Sequence, residues 1–346
     1  MRILQSFPPP RPTTNPYIIM LDRALAATEG IEHHRFGWRR ALAGRYDAIH
    51  FHWPETLFNA RSPLRRLAKR WLFVALILRL RVSRTAVVRT VHNLQPPTGL
   101  TPLQRWLLSA VDLRTDLRIL IGETTELPPG LPTVTILHGD YRPWFAGITR
   151  RSPIPGRLAF VGLIRRYKGV ETLITSFRGL RGDGVSLAVS GNPTSDELAD
   201  EIRGLAAEDP RVVLRLEFLD DADFVAAMTE GSLVALPYRF MHNSGSVLAA
   251  LSLDRPVLVP RNDANEALAT EVGPGWISMY DGELDTAALD AALDEVSRPR
   301  APHPDLSRRG WERTGERHAQ AYARAVRLRR GGASAVPDAD GEPSTP

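Results

Sequence analysis

Cysteine is absent from the chain of 346 residues. Its absence excludes disulfide scaffolds, thiolate zinc sites, iron–sulfur clusters and cysteine nucleophiles. Long apolar runs are also missing, because the apolar run 71–78 is far shorter than the roughly 20 residues that a bilayer-spanning helix needs. The first residues, MRILQSFPPPRP, lack the apolar core of a secretory signal. We therefore predict a cytoplasmic protein, and the length suggests about two domains.

Lysine is scarce: Lys69 and Lys168 are the only lysines among 44 basic residues. The formal net charge is +5, which suits a nucleic acid, an anionic membrane or a phosphorylated substrate. The sequence has no basic stripe with interleaved aromatic residues and no known nucleic-acid-binding motif. We therefore expect no nucleic-acid partner.

Basic residues are densest between Ser62 and Thr85, where they flank the apolar run 71–78. They are Arg65, Arg66, Lys69, Arg70, Arg79, Arg81 and Arg84. One interpretation is a helix that packs into its own domain and has a solvated basic end. The other is a basic amphipathic surface that docks on anionic lipid, with Trp71 and Phe73 near the interface. The second interpretation places the protein peripherally on the inner face of the membrane.

Short apolar runs alternate with helical patterns, which is typical of βαβ units and parallel sheets. The predicted strands are 48–51, 86–91, 118–121, 134–137, 158–161, 186–190, 212–216, 233–236 and 256–259. The predicted helices of the second half are 170–179, 195–207, 222–229 and 244–252. Prolines and a glycine in ITRRSPIPG predict a linker over 148–156 between domains 1–147 and 157–304. We also expect an Arg-rich helix over 305–330 and a disordered tail over 331–346.

The stretch AFVGLIRRYKGVETLI combines a strand, a basic loop and a helix. Gly162 and Gly169 bound the loop, and Arg165, Arg166 and Lys168 lie between them. This order places backbone N–H groups and cations where a phosphate would bind, with Lys168 as a point charge for a diphosphate. The alternative is a solvated loop that is merely basic.

Four ordered motifs resemble the nucleotide-sugar domain of GT-B glycosyltransferases, especially family 4 and related bacterial β-mannosyltransferases. They are FVGLIRRYKGVETLI, LAVSGNP, MTEGSLVALPYR and NSGSVLAALSLDRPVLVP. The resemblance implies an α/β protein of the GT-B fold, with two doubly wound, Rossmann-like domains that face a central cleft. It implies an acceptor domain over 1–147 and a nucleotide-sugar domain over 157–304. It also implies a nucleotide-sugar donor, with GDP-mannose as our choice, and a polysaccharide or glycolipid acceptor, without a cofactor or metal.

The same resemblance suggests the donor contacts. They are Gly162, Arg165 or Arg166, and Lys168 at the diphosphate, Asn243, Ser244, Gly245 and Ser246 at a helix start, and Glu266 at the ribose. The sequence departs from the family at three positions, because Leu163 replaces a loop arginine and Met241 and Ala249 replace two glutamates. The departures leave open a catalytically inactive partner subunit, and the fold leaves open an epimerase or phosphorylase that acts on a nucleotide sugar.

The first half should hold the acceptor. The predicted acceptor contacts are Asn15, His50, His52, Asn93 and His138. His50 and His52 should face the same side of their strand, because side chains alternate along a strand. A metal site of His50, His52 and Glu55 is a second interpretation, but two histidines and a carboxylate at a strand end have low specificity.

Sequence segments that resemble those of inverting β-mannosyltransferases predict that the sugar is transferred in a single displacement. Inversion requires a base that takes the proton of the acceptor hydroxyl. The candidates are Asp140, Glu55 and His92, in that order. A helix or turn cap is the alternative role for Asp140.

Overall fold

The computed structural model describes residues 1–11, 13–93, 99–182, 184–241 and 243–331. They form two compact units. Unit 1 comprises Met1–Ile121, Leu127–Ile136 and the chain from Glu312 onward, and unit 2 comprises Gly122–Glu126 and Leu137–Trp311. The segment 148–156, which the sequence predicts as a linker, lies within unit 2. The predicted disordered tail lies outside the described residues apart from Gly331.

Each unit is built on a parallel sheet of six strands. The strands of unit 1 are β1 (Arg2–Gln5), β2 (Glu32–His34), β3 (Ala48–Phe51), β4 (Ala86–Val91), β5 (Leu117–Leu120) and β6 (Thr133–Thr135). Those of unit 2 are β7 (Arg157–Val161), β8 (Ser186–Ser190), β9 (Val212–Arg215), β10 (Leu233–Ala235), β11 (Val257–Pro260) and β12 (Ile277–Tyr280).

Helices connect the strands. They are α1 (Pro16–Ala26), α2 (Trp38–Ala43), α3 (Pro63–Val82), α4 (Pro102–Arg114), α5 (Arg142–Phe145), α6 (Val170–Arg178), α7 (Asp196–Ala207), α8 (Asp221–Glu230), α9 (Gly245–Ser252), α10 (Asp263–Val272), α11 (Thr286–Val296) and α12 (Thr314–Arg329). Many begin at a side chain that accepts a hydrogen bond from the first turn, as Asn15 does for α1 and Ser244 for α9.

The strand order of each sheet reverses at one place. In unit 1 the order is β2-β1-β3-β4-β5-β6, and the reversal lies between β1 and β3. In unit 2 the order is β12-β11-β10-β7-β8-β9, and the reversal lies between β7 and β10. Ligands of doubly wound sheets bind outside the carboxyl ends of the strands at such a reversal. The topology therefore gives each unit one favoured site.

The predicted α/β class with two doubly wound sheets is confirmed. β3, β4 and β8 have the predicted bounds. The sequence interpretation missed β1, β2 and β12, which are strands of three or four residues. The C-terminal helix α12 starts later than predicted, at Thr314, and packs against α1 and β4 in unit 1.

Candidate active site

The reversal in unit 2 brings together the turns that follow β7 and β10. Gly162 follows β7 with φ 127°, a backbone conformation that favours glycine. A Cβ on Gly191, at the end of β8, would collide with the carbonyl oxygen of Gly162. A Cβ on Gly169 would likewise collide with the carbonyl oxygen of Pro237, which follows β10. These glycines allow the backbone turns to pack closely around the basic loop.

Lys168 lies at the centre of this arrangement. Its side chain is buried, with 8% of the residue exposed, and its Nζ lies 4.8 Å from the ring centroid of Tyr238. No carboxylate of the described residues pairs with it. Burial lowers the pKa of Lys168 to about 8, and the nearby Arg165 contributes in the same direction. A buried ammonium without a counter-ion at a sheet reversal is suited to an anionic ligand.

The two arginines of the loop have different environments. Arg166 is exposed and pairs with Glu201 at 2.9 Å and with Glu171 at 3.4 Å. Arg165 forms no ion pair within the described part of the chain, and its charge reaches Lys168. Of the two, Arg165 is therefore the one with a guanidinium available to an anion.

The start of α9 faces the same sheet reversal. Ser244 caps the helix by accepting a hydrogen bond from the Val247 backbone N–H. Ser246 accepts one from the Tyr238 hydroxyl at 3.0 Å, which links α9 to the ring beside Lys168. Asn243 donates through Nδ2 to the Thr125 hydroxyl at 3.4 Å. His242, part of the quoted HNSGS motif, lies outside the described residues.

The residues that replace the family glutamates are packed into the unit. The Met241 carbonyl accepts a hydrogen bond from Asn262 Nδ2, and its sulfur lies 3.3 Å from Asn265 Nδ2. Ala249 is buried in α9. Glu266 is exposed in the first turn of α10 and pairs with Arg261 at 3.1 Å. Each of these positions thus has a visible structural role.

His138 and Asp140 belong to unit 2, although the sequence interpretation assigned them to the first domain. A Cβ on Gly245 would lie 3.0 Å from the Tyr141 hydroxyl and 3.9 Å from His138 Nε2, so these side chains border the start of α9. Burial lowers the pKa of His138 to about 4. Asp140 is buried, and its Oδ1 accepts a hydrogen bond from the Arg142 backbone N–H at 2.8 Å. Asp140 therefore stabilises the turn that leads into α5, which matches the turn cap that the sequence allowed as an alternative role.

Buried polar side chains form a hydrogen-bond network at the reversal of strand order in unit 1. Gln5 ends β1, and His50 and His52 lie in and just after β3 on the same side, with ring centroids 4.2 Å apart. His50 contacts the Tyr322 hydroxyl at 2.9 Å and the Thr90 hydroxyl at 2.8 Å. The expected common orientation of His50 and His52 is confirmed. Tyr322 comes from α12, so the C-terminal helix completes this site.

A second branch of this hydrogen-bond network leads from Tyr322 through Gln5 and His52 to His92. Gln5 Nε2 donates to the Tyr322 hydroxyl at 3.0 Å, and Gln5 Oε1 lies 3.3 Å from His52 Nε2. His52 Nδ1 lies 3.2 Å from His92 Nε2. Burial lowers the pKa of His52 to about 3 and that of His50 well below its ordinary value, so both rings are neutral.

The contact with Gln5 assigns which nitrogen of His52 carries the proton. His52 Nε2–H donates to the Gln5 amide oxygen, so neutral His52 has an unprotonated Nδ1. That atom accepts from His92 Nε2–H. Trp53 stacks on the His92 ring at 4.0 Å, and Tyr17 contacts it edge-on at 5.6 Å. His92 is partly exposed and held from several sides, and an imidazole held in this way can accept a proton.

The remaining predicted residues of the first half lie near the ends of the same strands. Glu55 is half-buried after β3, and burial raises the pKa of its carboxyl while the charge of Arg89 opposes the rise. Asn15 is exposed and accepts from the Tyr17 backbone N–H at 3.0 Å as the cap of α1. Asn93 is exposed after β4.

The geometry disfavours the metal interpretation of His50, His52 and Glu55. Both ring nitrogens of His50 already contact the Tyr322 and Thr90 hydroxyls. Within the described ranges, no group of three or more His, Asp or Glu side chains could hold a metal ion. In those ranges there is also no helix with the length and apolarity needed to cross a membrane.

Comparisons with known proteins identify relatives and solved structures of the same fold. The chain is 42% identical over 325 residues to the GDP-mannose:glycolipid 4-beta-D-mannosyltransferase of Xanthomonas campestris pv. campestris, covering 94% of this chain and 92% of the relative. Sucrose-phosphate synthase from Thermosynechococcus elongatus has a TM-score of 0.60 at 15% identity, covering 95% of this chain and 98% of that chain. Anabaena HepE in complex with UDP has a TM-score of 0.58 at 14% identity, covering 96% and 98%.

No protein-family model matches the sequence. The structural likenesses have low sequence identity and establish the GT-B fold of the two sheets. The relative establishes more, because its similarity extends over nearly the whole length of both chains. The chain is therefore a glycosyltransferase of the GT-B fold and belongs to the family of the Xanthomonas mannosyltransferase.

Proposed function

We propose that the protein transfers mannose from GDP-mannose to a glycolipid and forms a β-linkage. The observation that carries this proposal is the 42% identity to a GDP-mannose:glycolipid 4-beta-D-mannosyltransferase over 94% of the chain. The ammonium of Lys168 is buried at a sheet reversal and pairs with no carboxylate of the described residues, which supports an anionic donor.

In this proposal unit 2 holds the donor. Lys168 and Arg165 contact the diphosphate, and their charges stabilise the leaving GDP when the bond to the sugar breaks. The backbone N–H groups at the start of α9 are suited to the negative charge of the diphosphate. The hydroxyl of Ser246 is held there by its hydrogen bond with the Tyr238 hydroxyl. Arg166 is assigned a structural role, because its guanidinium is already paired with Glu201.

Unit 1 supplies the proton acceptor. The acceptor hydroxyl gives its proton to the His92 imidazole, and its oxygen forms the new bond to the anomeric carbon of mannose. The bond from that carbon to the diphosphate breaks, and GDP leaves with the electron pair. The hydrogen bonds that link Tyr322, Gln5 and His52 hold the His92 ring in position. A β-linked product from the α-linked donor follows from this single displacement.

The first test uses radiolabelled GDP-mannose with the purified protein and the glycolipid fraction of bacterial membranes. We expect label to enter the lipid fraction and a β-mannosidase, but not an α-mannosidase, to release it. GDP-mannose incubated with the protein alone should remain unchanged, whereas an epimerase would convert it without an acceptor. No transfer from GDP-mannose, alongside transfer from a uridine or adenosine diphosphate sugar, would refute the proposed donor.

A second prediction concerns the base. His92→Ala should lower kcat by roughly 10²–10⁴ and leave GDP affinity nearly unchanged, because the lost group acts on the acceptor. Glu55→Gln should retain most of the turnover. Asp140→Asn should also retain it, since an amide oxygen can still accept the hydrogen bond from the Arg142 backbone N–H.

The positioning role of His52 has its own readout. His52→Gln should shift the pH dependence of kcat and not only its height, because it alters the partner of the proton-accepting imidazole. Full turnover in His92→Ala, with loss in Glu55→Gln or Asp140→Asn, would reassign the base.

A further inference from the structure

Cationic side chains of unit 2 converge on one carboxylate, that of Asp254. This residue lies in the turn between α9 and β11. Arg150 Nη1 donates to its Oδ2 at 2.7 Å. On the other carboxylate oxygen, Oδ1, Arg142 Nη2 approaches to 3.7 Å and His303 Nδ1 to 3.0 Å. Two arginines and a histidine therefore share a single negative charge.

Arg255, the next residue, brings a guanidinium that these contacts do not satisfy. Its side chain is half-buried, its Nε is buried without a hydrogen-bond partner, and it forms no ion pair among the described residues. Burial lowers the pKa of Arg255, the nearby Asp254 carboxylate opposes this, and the charges of Arg150 and Arg300 lower the pKa further. A partly desolvated cation beside other cations is unfavourable unless an anion binds there.

Arg300 is held beside this turn by contacts that use only part of its guanidinium. The guanidinium carbon lies 5.2 Å from the ring centroid of Trp276, and Nη1 donates to the Val296 carbonyl at 2.8 Å. A Cβ on Gly275 would lie 3.0 Å from Arg300 Cβ, so the glycine leaves room for the arginine stem. The Nε and Nη2 atoms of Arg300 have no hydrogen-bond partner in the described part of the chain.

Positive charge exceeds negative charge around Asp254. The arginines are Arg142, Arg150, Arg255 and Arg300, which we call the arginine cluster. The carboxylates that act on them are those of Asp254 and of Asp305, whose pKa is lowered by its hydrogen bonds with Ser307 and also by the charge of Arg142. Glu295 pairs with a different arginine, Arg298, at 2.7 Å. Four guanidinium groups thus face two carboxylates.

The arginine cluster lies at the opposite edge of the sheet from the donor loop. Arg255 precedes β11 and Trp276 precedes β12, so both lie at the amino ends of their strands. Lys168 follows β7 and lies at the carboxyl ends. All twelve strands of the two sheets pair in parallel, so the two ends of one sheet are separate places. A ligand of the arginine cluster is therefore additional to the nucleotide sugar.

We propose that the arginine cluster binds the phosphate group of a small soluble ligand. A phosphate carries up to two negative charges and accepts hydrogen bonds from several guanidinium groups at once, which matches the excess of arginines. A single carboxylate is a poorer match, because Asp254 already supplies one and leaves Arg255 unpaired. In this site Asp254 holds Arg150, and the groups that contact the ligand are Arg255 and Arg300. The proposal does not depend on the identity of the donor or on the reaction.

The test is calorimetric titration of the full chain with pyrophosphate at constant ionic strength. Lys168→Met is the parent protein, because it lacks the charge that we assign to the donor diphosphate. We expect the parent to bind pyrophosphate. Adding Arg255→Gln or Arg300→Gln should raise Kd by roughly tenfold or more, because each removes charge-assisted hydrogen bonds.

A matched variant and a second measurement control for charge and for folding. Arg203→Gln removes the same charge from α7 of unit 2, where Arg203 is exposed and pairs with Asp200 at 2.7 Å, and it should leave Kd unchanged. Hydrogen exchange of the parent leaves the arginine cluster intact. Pyrophosphate should slow the exchange of backbone amides in 252–256 and 298–303.

Three results would overturn the proposal: a parent that binds no pyrophosphate, an unchanged Kd in Arg255→Gln and Arg300→Gln, or an equal loss of affinity in Arg203→Gln. Sedimentation with phosphatidylglycerol vesicles distinguishes a soluble phosphate from a lipid headgroup. Arg255→Gln/Arg300→Gln should bind these vesicles as the parent does. Loss of vesicle binding in this variant, with no pyrophosphate binding by the parent, would refute the proposal and assign the arginines to a lipid.

Discussion

At the scale of single residues, burying the charged Lys168 lowers the stability of the fold. Binding of an anionic ligand explains why the charge is present. Burial lowers its pKa from an ordinary value of 10.5 to about 8, which means that the folded protein binds this proton less tightly than the unfolded chain. Such a charge destabilises the fold by roughly 3 kcal/mol, at 1.36 kcal/mol for each pKa unit. Function at the expense of stability is the usual reason for keeping a group of this kind.

Replacing Lys168 should therefore separate stability from binding. Lys168→Met keeps the length of the side chain and removes the charge, so we expect a higher melting temperature without ligand at pH 7. The same variant should lose the stabilisation that GDP gives to the wild type. Differential scanning calorimetry with and without GDP measures both effects. A destabilised variant that still responds fully to GDP would contradict the assignment of Lys168 to the diphosphate.

The dependence on pH provides the control. The unfolded chain binds more protons between pH 8 and 10.5, so the wild type gains stability as pH rises through this window, and its difference from Lys168→Met should shrink. GDP affinity of the wild type should fall above pH 8 as the ammonium loses its proton. Lys168→Arg should show weaker binding at pH 7 and no such fall, because guanidinium stays charged.

At the scale of elements, strand length decided what the sequence could predict. β3, β4 and β8 are short segments of four to six residues in which apolar residues predominate, and their bounds follow from the pattern. β1 and β2 have four and three residues, and β2 contains Glu32 and two histidines, so neither shows a strand pattern by itself. They are strands because each pairs with a neighbour in the sheet, which is tertiary information.

The donor loop shows the same limit. Glycine, basic residues and a helix in that order predicted a phosphate loop, and the structure places the loop at a sheet reversal. The choice between Arg165 and Arg166 was beyond the sequence, because it depends on Glu201, which is distant along the chain and belongs to α7. The contribution of Tyr322 to the His50 site depends in the same way on how α12 packs.

The apolar surface of α3 was partly foreseeable. One interpretation of the sequence predicted that Trp71 and Phe73 lie at the outer surface, and Trp71 is exposed. Phe73 is instead a core residue, and the other exposed aromatic residue of this surface is Trp106 of α4. An apolar run reveals hydrophobicity, whereas the division between inner and outer surfaces depends on the sheet beneath the helix.

At the scale of the whole molecule, buried neutral histidines make stability depend on pH. His50, His52 and His318 lie in unit 1, and burial lowers all three pKa values, to about 3 for His52 and about 4 for His318. Their unfolded pKa is near 6.5, so below that pH the unfolded chain binds protons that the folded chain does not. Stability should therefore fall as pH drops from about 6.5 toward 4.

His318 offers a way to measure this effect for one residue. Its Nδ1 contacts the Thr314 carbonyl within α12, and its Nε2 is buried without a hydrogen-bond partner among the described residues. His318→Leu should thus be tolerated at pH 7 and should reduce the loss of stability with acid by one proton, about 1.4 kcal/mol per pH unit. Urea unfolding at several pH values between 4 and 7 gives this slope. If His318→Leu and the wild type lost stability with the same slope, another group would account for the acid sensitivity of unit 1.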